Sequence, residues 1–256
     1  MLAHAVILRY TPAYTRVSLR EICAADELAF SDTSTRSALL LLDRLMELNG
    51  AESKKIAAQI VTADRDQMLA FIYATIYGDK IESTIRCQSC ETRFDMDFSL
   101  HDLQRHLIGQ EYPNTATVEQ HGIYRLAPDC LFRLPTGEDE LAAEGLLPDQ
   151  AGALILKQCL LEGDAGKYAE KVEAAMAALA PVLQTDIQAT CPECGQAQTL
   201  FFDIQSFLLG RLLNERKQTI REIHCLATAY RWSHTEILSL PRGLRQAYCN
   251  HVDTER

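Results

Sequence analysis

Apolar residues recur at two periods along this chain, and the switch between them outlines its elements. In two stretches every second residue is apolar: Met96, Phe98 and Leu100 in one, Leu200, Phe202 and Ile204 in the other. That alternation predicts strands with one buried face. Elsewhere the spacing is helical. Leu39, Leu42, Leu45, Met46 and Leu48 follow the polar cluster 31–35, and Asn49-Gly50 supplies a left-handed stop. Asp64, with Gln67 three residues on, reads as a capping-box variant that starts the next helix. Leu69, Ile72, Tyr73 and Ile76 form its apolar face, and Gly78 ends it. Residues 100–108 read as a short helix. Residues 117–126 and 130–134 read as a hairpin turning at Pro128-Asp129. Residues 138–144 begin a helix that Gly145 interrupts. A helix over 149–161, buried through Leu154, Ile155 and Cys159 or its neighbours, precedes an alanine-rich one over 167–179.

The longest helical stripe runs from Ile204 to about Tyr230 through Phe207, Leu208, Leu212, Ile220, Ile223 and Ala227. Ser233-His234-Thr235-Glu236 is a capping box for another helix, and Pro241 suits the first position of a last one ending near His251. The first 30 residues are weakly patterned, with a short strand over 5–8 ended by Pro12.

Each strand pattern follows a Cys-x-x-Cys knuckle, Cys87-Gln88-Ser89-Cys90 and Cys191-Pro192-Glu193-Cys194. Sliding the sequence by 104 positions superposes both knuckles and the apolar positions after them without a gap. Cys87 falls on Cys191, Cys90 on Cys194, Met96 on Leu200, Phe98 on Phe202, Leu100 on Ile204 and Leu103 on Phe207. Each half therefore reads as knuckle, strand and helix start. One knuckle grips one side of a tetrahedral ion, so two are needed to complete a four-coordinate site. The expectation is one structural Zn2+ held by Cys87, Cys90, Cys191 and Cys194. Four thiolates leave no position for substrate water.

Three other readings of the knuckles stand beside this one. A thioredoxin-like redox pair wants its first cysteine at a helix N-terminus after a strand, whereas here a strand follows each pair. Two separate sites, each completed by a histidine, would use His101 or His106, which the second half replaces with Gln205 and Gly210. An iron–sulfur cluster also takes four cysteines. Cys23, Cys130, Cys159, Cys225 and Cys249 sit singly among apolar neighbours and read as small buried hydrophobes. Glu138, Asp139 and Glu140 complement a helix dipole rather than suggest acid–base work. No catalytic residue is assigned.

Composition narrows the partners. The net charge of −10 opposes nucleic acid, the usual partner of a zinc ribbon, because phosphate binding needs a basic face. No apolar run approaches the ~20 residues of a membrane helix. The amino-terminal residues lack a secretory pattern, so nine cysteines point to a reducing compartment where paired knuckles bind metal.

The expected fold is α+β and predominantly helical: helices around a split zinc ribbon, with a central β-hairpin. Its parts are an N-terminal segment (1–35), a helical region with the first knuckle (36–110), a central hairpin and helical insertion (111–180), and the second knuckle with C-terminal helices (181–256). Zinc would join them into one compact unit.

Several stretches carry a resemblance. They are Gly78-Asp79-Lys80-Ile81-Glu82-Ser83, Phe94-Asp95-Met96-Asp97-Phe98, Phe132-Arg133-Leu134-Pro135-Thr136, and above all Tyr230-Arg231-Trp232-Ser233-His234-Thr235-Glu236-Ile237-Leu238-Ser239-Leu240-Pro241. From about residue 36 onward the chain resembles the T4-like baseplate proteins of contractile-tail phages and related bacterial contractile injection systems. The resemblance implies a non-enzymatic baseplate component or baseplate-hub assembly protein. It implies other baseplate and hub or spike proteins as partners, and oligomerisation within the assembly. The implied location is a virion tail or injection particle assembled in the bacterial cytoplasm, without membrane insertion. The alternative is a zinc-ribbon adaptor that binds protein or nucleic acid in transcription or RNA handling.

Overall fold

The computed structural model describes residues 4–47, 56–109 and 116–254. It is an α+β protein with ten helices and several small antiparallel sheets among the described residues. None of the described helices is long and apolar enough to cross a membrane. The chain divides into two compact units. The first comprises Met1–Arg9, Ala13–Gln59 and Leu208–Arg256, the second Tyr10–Pro12 and Ile60–Phe207.

In the first unit, β1 (His4–Ile7), β2 (Arg16–Leu19) and β3 (Met46–Glu47) form an antiparallel sheet in that order. Val17 and Leu19 of β2 face the core, the period-2 signature of a half-buried strand. Helix α1 (Ala24–Glu27) is one turn long and α2 (Thr35–Leu45) buries Ala38, Leu39, Leu41, Leu42 and Leu45. The apolar spacing at 46 and 48 had suggested that this helix continues. Instead Met46 turns extended and pairs with Leu19. The Asn49-Gly50 stop lies outside the described residues.

The one-turn α1 buries two carboxylates, Asp26 and Glu27. Asp26 accepts from Arg20 and from Arg44 Nε at 2.8 Å. Burial would raise its pKa, but Arg20 and the Cys23 N–H and thiol hold it below the ordinary carboxylate range. Glu27 accepts from Thr219 Oγ1 at 2.7 Å and from Arg245 Nη2 at 2.7 Å. Arg242 Nη1 reaches the same carboxylate at 2.9 Å. Thr219 belongs to α8 (Ile204–Tyr230) and both arginines to α10 (Arg242–Thr254). Between them lies α9 (His234–Ser239), which starts at the Ser233/Glu236 capping box that the sequence announces.

In the second unit, α3 (Thr62–Tyr77) is buried along most of its circumference. Such a helix belongs at the centre of its layer rather than at a surface. Val61, not Asp64, caps it. The capping-box reading fails because the Asp64 carboxylate points elsewhere, accepting from the Tyr10 and Thr11 N–H groups and Thr11 Oγ1. Arg65 is buried between Asp66 and Glu140, and Asp66 Oδ2 accepts the Leu183 N–H at 3.0 Å.

Burial pushes the Asp66 carboxyl up to about 6, against the lowering effects of Arg65 and Leu183. Its folded pKa therefore lies above its unfolded value of about 3.9. The native state holds this proton more tightly, so the group's contribution to stability falls as pH rises from about 4 through about 6. Asp66→Asn is expected to flatten that fall. Urea midpoints at pH 4.5 and pH 7 check it; an unchanged difference between the two would contradict it.

Helix α4 (Leu100–Gly109) follows the first hairpin. A four-stranded sheet then forms in the order β6 (Thr117–Gln120), β7 (Ile123–Ala127), β8 (Cys130–Arg133), β9 (Leu160–Glu162). One long first strand had been expected over 117–126. It is split by a turn at Gly122, whose φ of 83° suits glycine. Between β8 and β9 run α5 (Gly137–Ala142) and α6 (Pro148–Cys159), and α7 (Ala165–Leu179) follows β9. On α6 it is Leu156 and Cys159 that are buried, while Leu154 and Ile155 are half-buried. Tyr168, Val172 and Ala175 line one face of α7 and pack in a core with Tyr124, Phe132, Leu134 and Leu156.

Candidate metal centre

Two hairpins of the second unit carry the knuckles. The first is β4 (Lys80–Arg86) with β5 (Arg93–Ser99), the second β10 (Gln184–Thr190) with β11 (Ala197–Asp203). Every boundary is displaced by the same 104 positions, and so is the start of the following helix, Leu100 against Ile204. The likeness extends to single hydrogen bonds. Cys87 N–H bonds Thr92 O at 2.9 Å, and Cys191 N–H bonds Gln196 O at 2.9 Å. Glu91 and Gly195 N–H groups each bond the first cysteine's carbonyl at 3.0 Å. The Asp79 carbonyl accepts from Leu100, as the Leu183 carbonyl does from Ile204. At the helix starts, Ser99 and Asp203 side chains each accept the N–H three residues on. Two separated segments thus fold by one local code.

The hairpins meet through their apolar faces. Ile85, Phe94, Met96, Ala189 and Leu200 form one cluster around Cys87 and Cys191. Phe98 and Phe202, equivalent positions in the repeat, meet edge-to-face with centroids 5.2 Å apart, a preferred aromatic geometry. Phe207 then links Phe202 to Tyr73 of α3.

At the mouth of this cluster all four knuckle sulfurs lie within 4.8 Å of one another. Cys87 Sγ is 3.6 Å from Cys194 Sγ, and Cys90 Sγ is 3.7 Å from Cys191 Sγ. The two cross-pairs exchange under the repeat, as a local two-fold relation requires. No disulfide joins them, since a bonded pair would be ~2.05 Å apart. A tetrahedron with Zn–S bonds of ~2.3 Å has edges of ~3.8 Å, so the donor set fits such an ion. Among the described residues this is the one cluster of three or more potential ligands. His101 instead donates its backbone N–H to Asp79, and neither His101 nor His106 joins the sulfurs.

Protons are unevenly held within the cluster. Hydrogen bonds from the Thr92 side chain and N–H bring the Cys90 thiol down to about 6, and the Cys90 and Ser89 N–H groups lower Cys87. Cys194 goes the other way. Although the Gln196 N–H favours its thiolate, the neighbouring sulfurs, Cys90 first, push it up to about 11. The first thiolate is welcomed by N–H donors and the last is opposed by its neighbours. A cation at the centre removes that opposition, so metal uptake releases protons. By contrast, burial pushes Cys159 and Cys249 up to about 12, and they remain ordinary buried thiols.

Cys87 and Cys191 are buried, while Cys90 and Cys194 face solvent. One supporting group went unread in the sequence. Gln198, 5% exposed, accepts the Gln88 N–H at 3.0 Å and donates to Arg86 O, joining the second hairpin to the first knuckle. Its repeat partner is Phe94. A glutamine where the other copy has a core aromatic is the signal that marked it.

The repeat also exposes a flaw in one copy. Glu91 has φ 62° where Gly195 has φ 73°. A side chain in this left-handed region costs about 1 kcal/mol. Glu91→Gly is expected to raise stability by a few tenths to about 1 kcal/mol, because the exposed Arg86 pair it loses contributes little. Gly195→Ala should lower it by a similar amount. Denaturant midpoints of the metal-loaded protein check both, and equal signs for the two changes would contradict the account.

No family model matches this chain, and neither a curated protein nor a solved structure shows significant similarity to it.

Proposed function

We propose that the four thiolates bind one zinc ion as a structural staple, closing a split zinc ribbon from segments about a hundred residues apart. The observation that carries this is the four-sulfur cluster with edges near those of a zinc–thiolate tetrahedron. The donors are all sulfur, which suits zinc or iron and disfavours harder cations. A cluster whose four corners are protein ligands has no open position for chemistry, so its role is mechanical.

Around that staple we read the chain as a non-enzymatic baseplate component or baseplate-hub assembly protein of a contractile tail-like machine. Support comes from the residue runs quoted above, especially 230–241, together with a metal site closed to substrate. Such a part needs rigid surfaces for neighbouring subunits. The test is deletion of the gene in a host that produces tail particles, followed by negative-stain microscopy. The reading predicts tubes and sheaths without completed baseplates, restored by the intact gene. Normal baseplates in the deletion strain would overturn it. In that case, retention of the purified protein on duplex DNA or RNA at low salt would favour the adaptor reading.

A further inference from the structure

The net charge of −10 is distributed very unequally. The first unit has 15 basic against 12 acidic residues, the second 10 against 23. Part of the first unit's positive charge lies on one helix. Helix α8 carries two acids beyond residue 208, and both are occupied. Glu215 pairs with Arg242 and Arg211, and Glu222 is buried against Arg245. Arg216 is likewise engaged, donating to the Leu28 and Phe30 carbonyls. The cations that are left, Lys217 and Arg221, are exposed and carry no ion pair among the described residues, and His224 is exposed on the same helix.

These groups fall into rows. Lys217 and His224 are spaced by seven residues, and Arg221 lies next to that row; Arg231, with φ 57°, lies past the end of the helix. Leu213, Ile220 and Ala227 form a parallel row with the same spacing. On an α-helix, seven residues are nearly two turns, so each row runs along the axis, rising ~10 Å per step. Leu213 is half-buried, Ile220 is 53% exposed and Ala227 is exposed. The outer face of α8 is therefore an apolar ridge with a basic ridge beside it. Seven-residue spacing of an apolar seam flanked by charge is how one helix receives another.

We propose that this face is a docking ridge for an acidic amphipathic helix of a partner protein. The apolar row takes the partner's seam, and Lys217, Arg221 and His224 take carboxylates flanking that seam. Two copies of this chain meeting through the same face would oppose cation to cation, so the geometry disfavours a symmetric self-contact. Nucleic acid needs cations without an apolar ridge among them, and the second unit's excess of 13 negative charges repels it. The proposal depends neither on the metal nor on the assembly role.

The test uses the full chain and two fluorescent synthetic peptides of three heptads. Both have leucine at the seam positions; one has glutamate at the flanking positions, the other lysine. Anisotropy at low ionic strength is expected to show binding of the glutamate peptide, with the lysine peptide about tenfold weaker or more. Charge reversal by Lys217→Glu, Arg221→Glu and His224→Glu together should invert the preference. Ile220→Glu should weaken the glutamate peptide by a similar factor. All four positions are exposed, so thermal melts should match the parent. Absence of binding, equal binding of both peptides by the unmodified chain, or equal affinity for a duplex DNA of matched charge would each overturn the proposal.

Discussion

Cys87→Ser and Cys191→Ser are each expected to lower the melting temperature of the metal-loaded protein by about 10 °C or more, by similar amounts, with little added in the double variant. The similarity follows from the repeat, which gives both residues the same hairpin position, the same burial and the same backbone hydrogen bonds. The lack of additivity follows from one ion being shared. A structural zinc site delivers most of its binding energy to folding, and the first lost thiolate already forfeits it. A chelator should bring the unsubstituted protein to the same melting temperature and leave the variants nearly unmoved. Two independent sites would instead show additive losses. The exposed ligands Cys90 and Cys194 should follow the same rule, which separates metal loss from damage to the buried cluster around Cys87 and Cys191.

The second large effect is expected in the first unit, away from the metal. Arg245 is wholly buried and holds both Glu27 and Glu222. Arg245→Met leaves Glu222 buried without its cation, and Glu27 with only Thr219 and Arg242. Removing one partner of a buried ionic group costs about 3–5 kcal/mol, because the remaining charge is uncompensated. Glu222→Gln placed on top of Arg245→Met should therefore recover part of the loss rather than add to it. Urea midpoints of the parent and the two variants measure this. A loss below ~1 kcal/mol for Arg245→Met would mean that water reaches the network.

The strand after each knuckle and α8 were legible in the sequence because their signals are local, whereas β10, before the second knuckle, was not. Each knuckle fixes a turn, the apolar alternation fixes which strand face is buried, and 27 residues of helical spacing outweigh any single exception. The four ligands followed from a spacing argument alone, and their sulfurs lie together. What stayed hidden depends on distant partners. Strand β2 and the one-turn α1 have too few residues to declare a period. Glu27 is held in place by Arg245, 218 positions away. Asp64 looked like a cap because an aspartate at a helix start usually is one. Here Tyr10 and Thr11, more than 50 positions upstream, claim its carboxylate. Met46 continued the helical stripe in sequence, yet its backbone found a strand partner in Leu19. The turn at Gly122 was available as a glycine signal, and a run of strand-forming residues on both sides concealed it.

Sulfur coordination ties these arguments together. X-ray absorption at the zinc edge of the purified protein, with the metal content determined on the same sample, reads both the ligands and the sharing of the site. The account predicts one zinc per chain with four sulfurs at ~2.3 Å. Since each knuckle holds two cysteines, that result requires both halves on one ion. Two sulfurs with nitrogen or oxygen completing the shell, or two ions per chain, would contradict it.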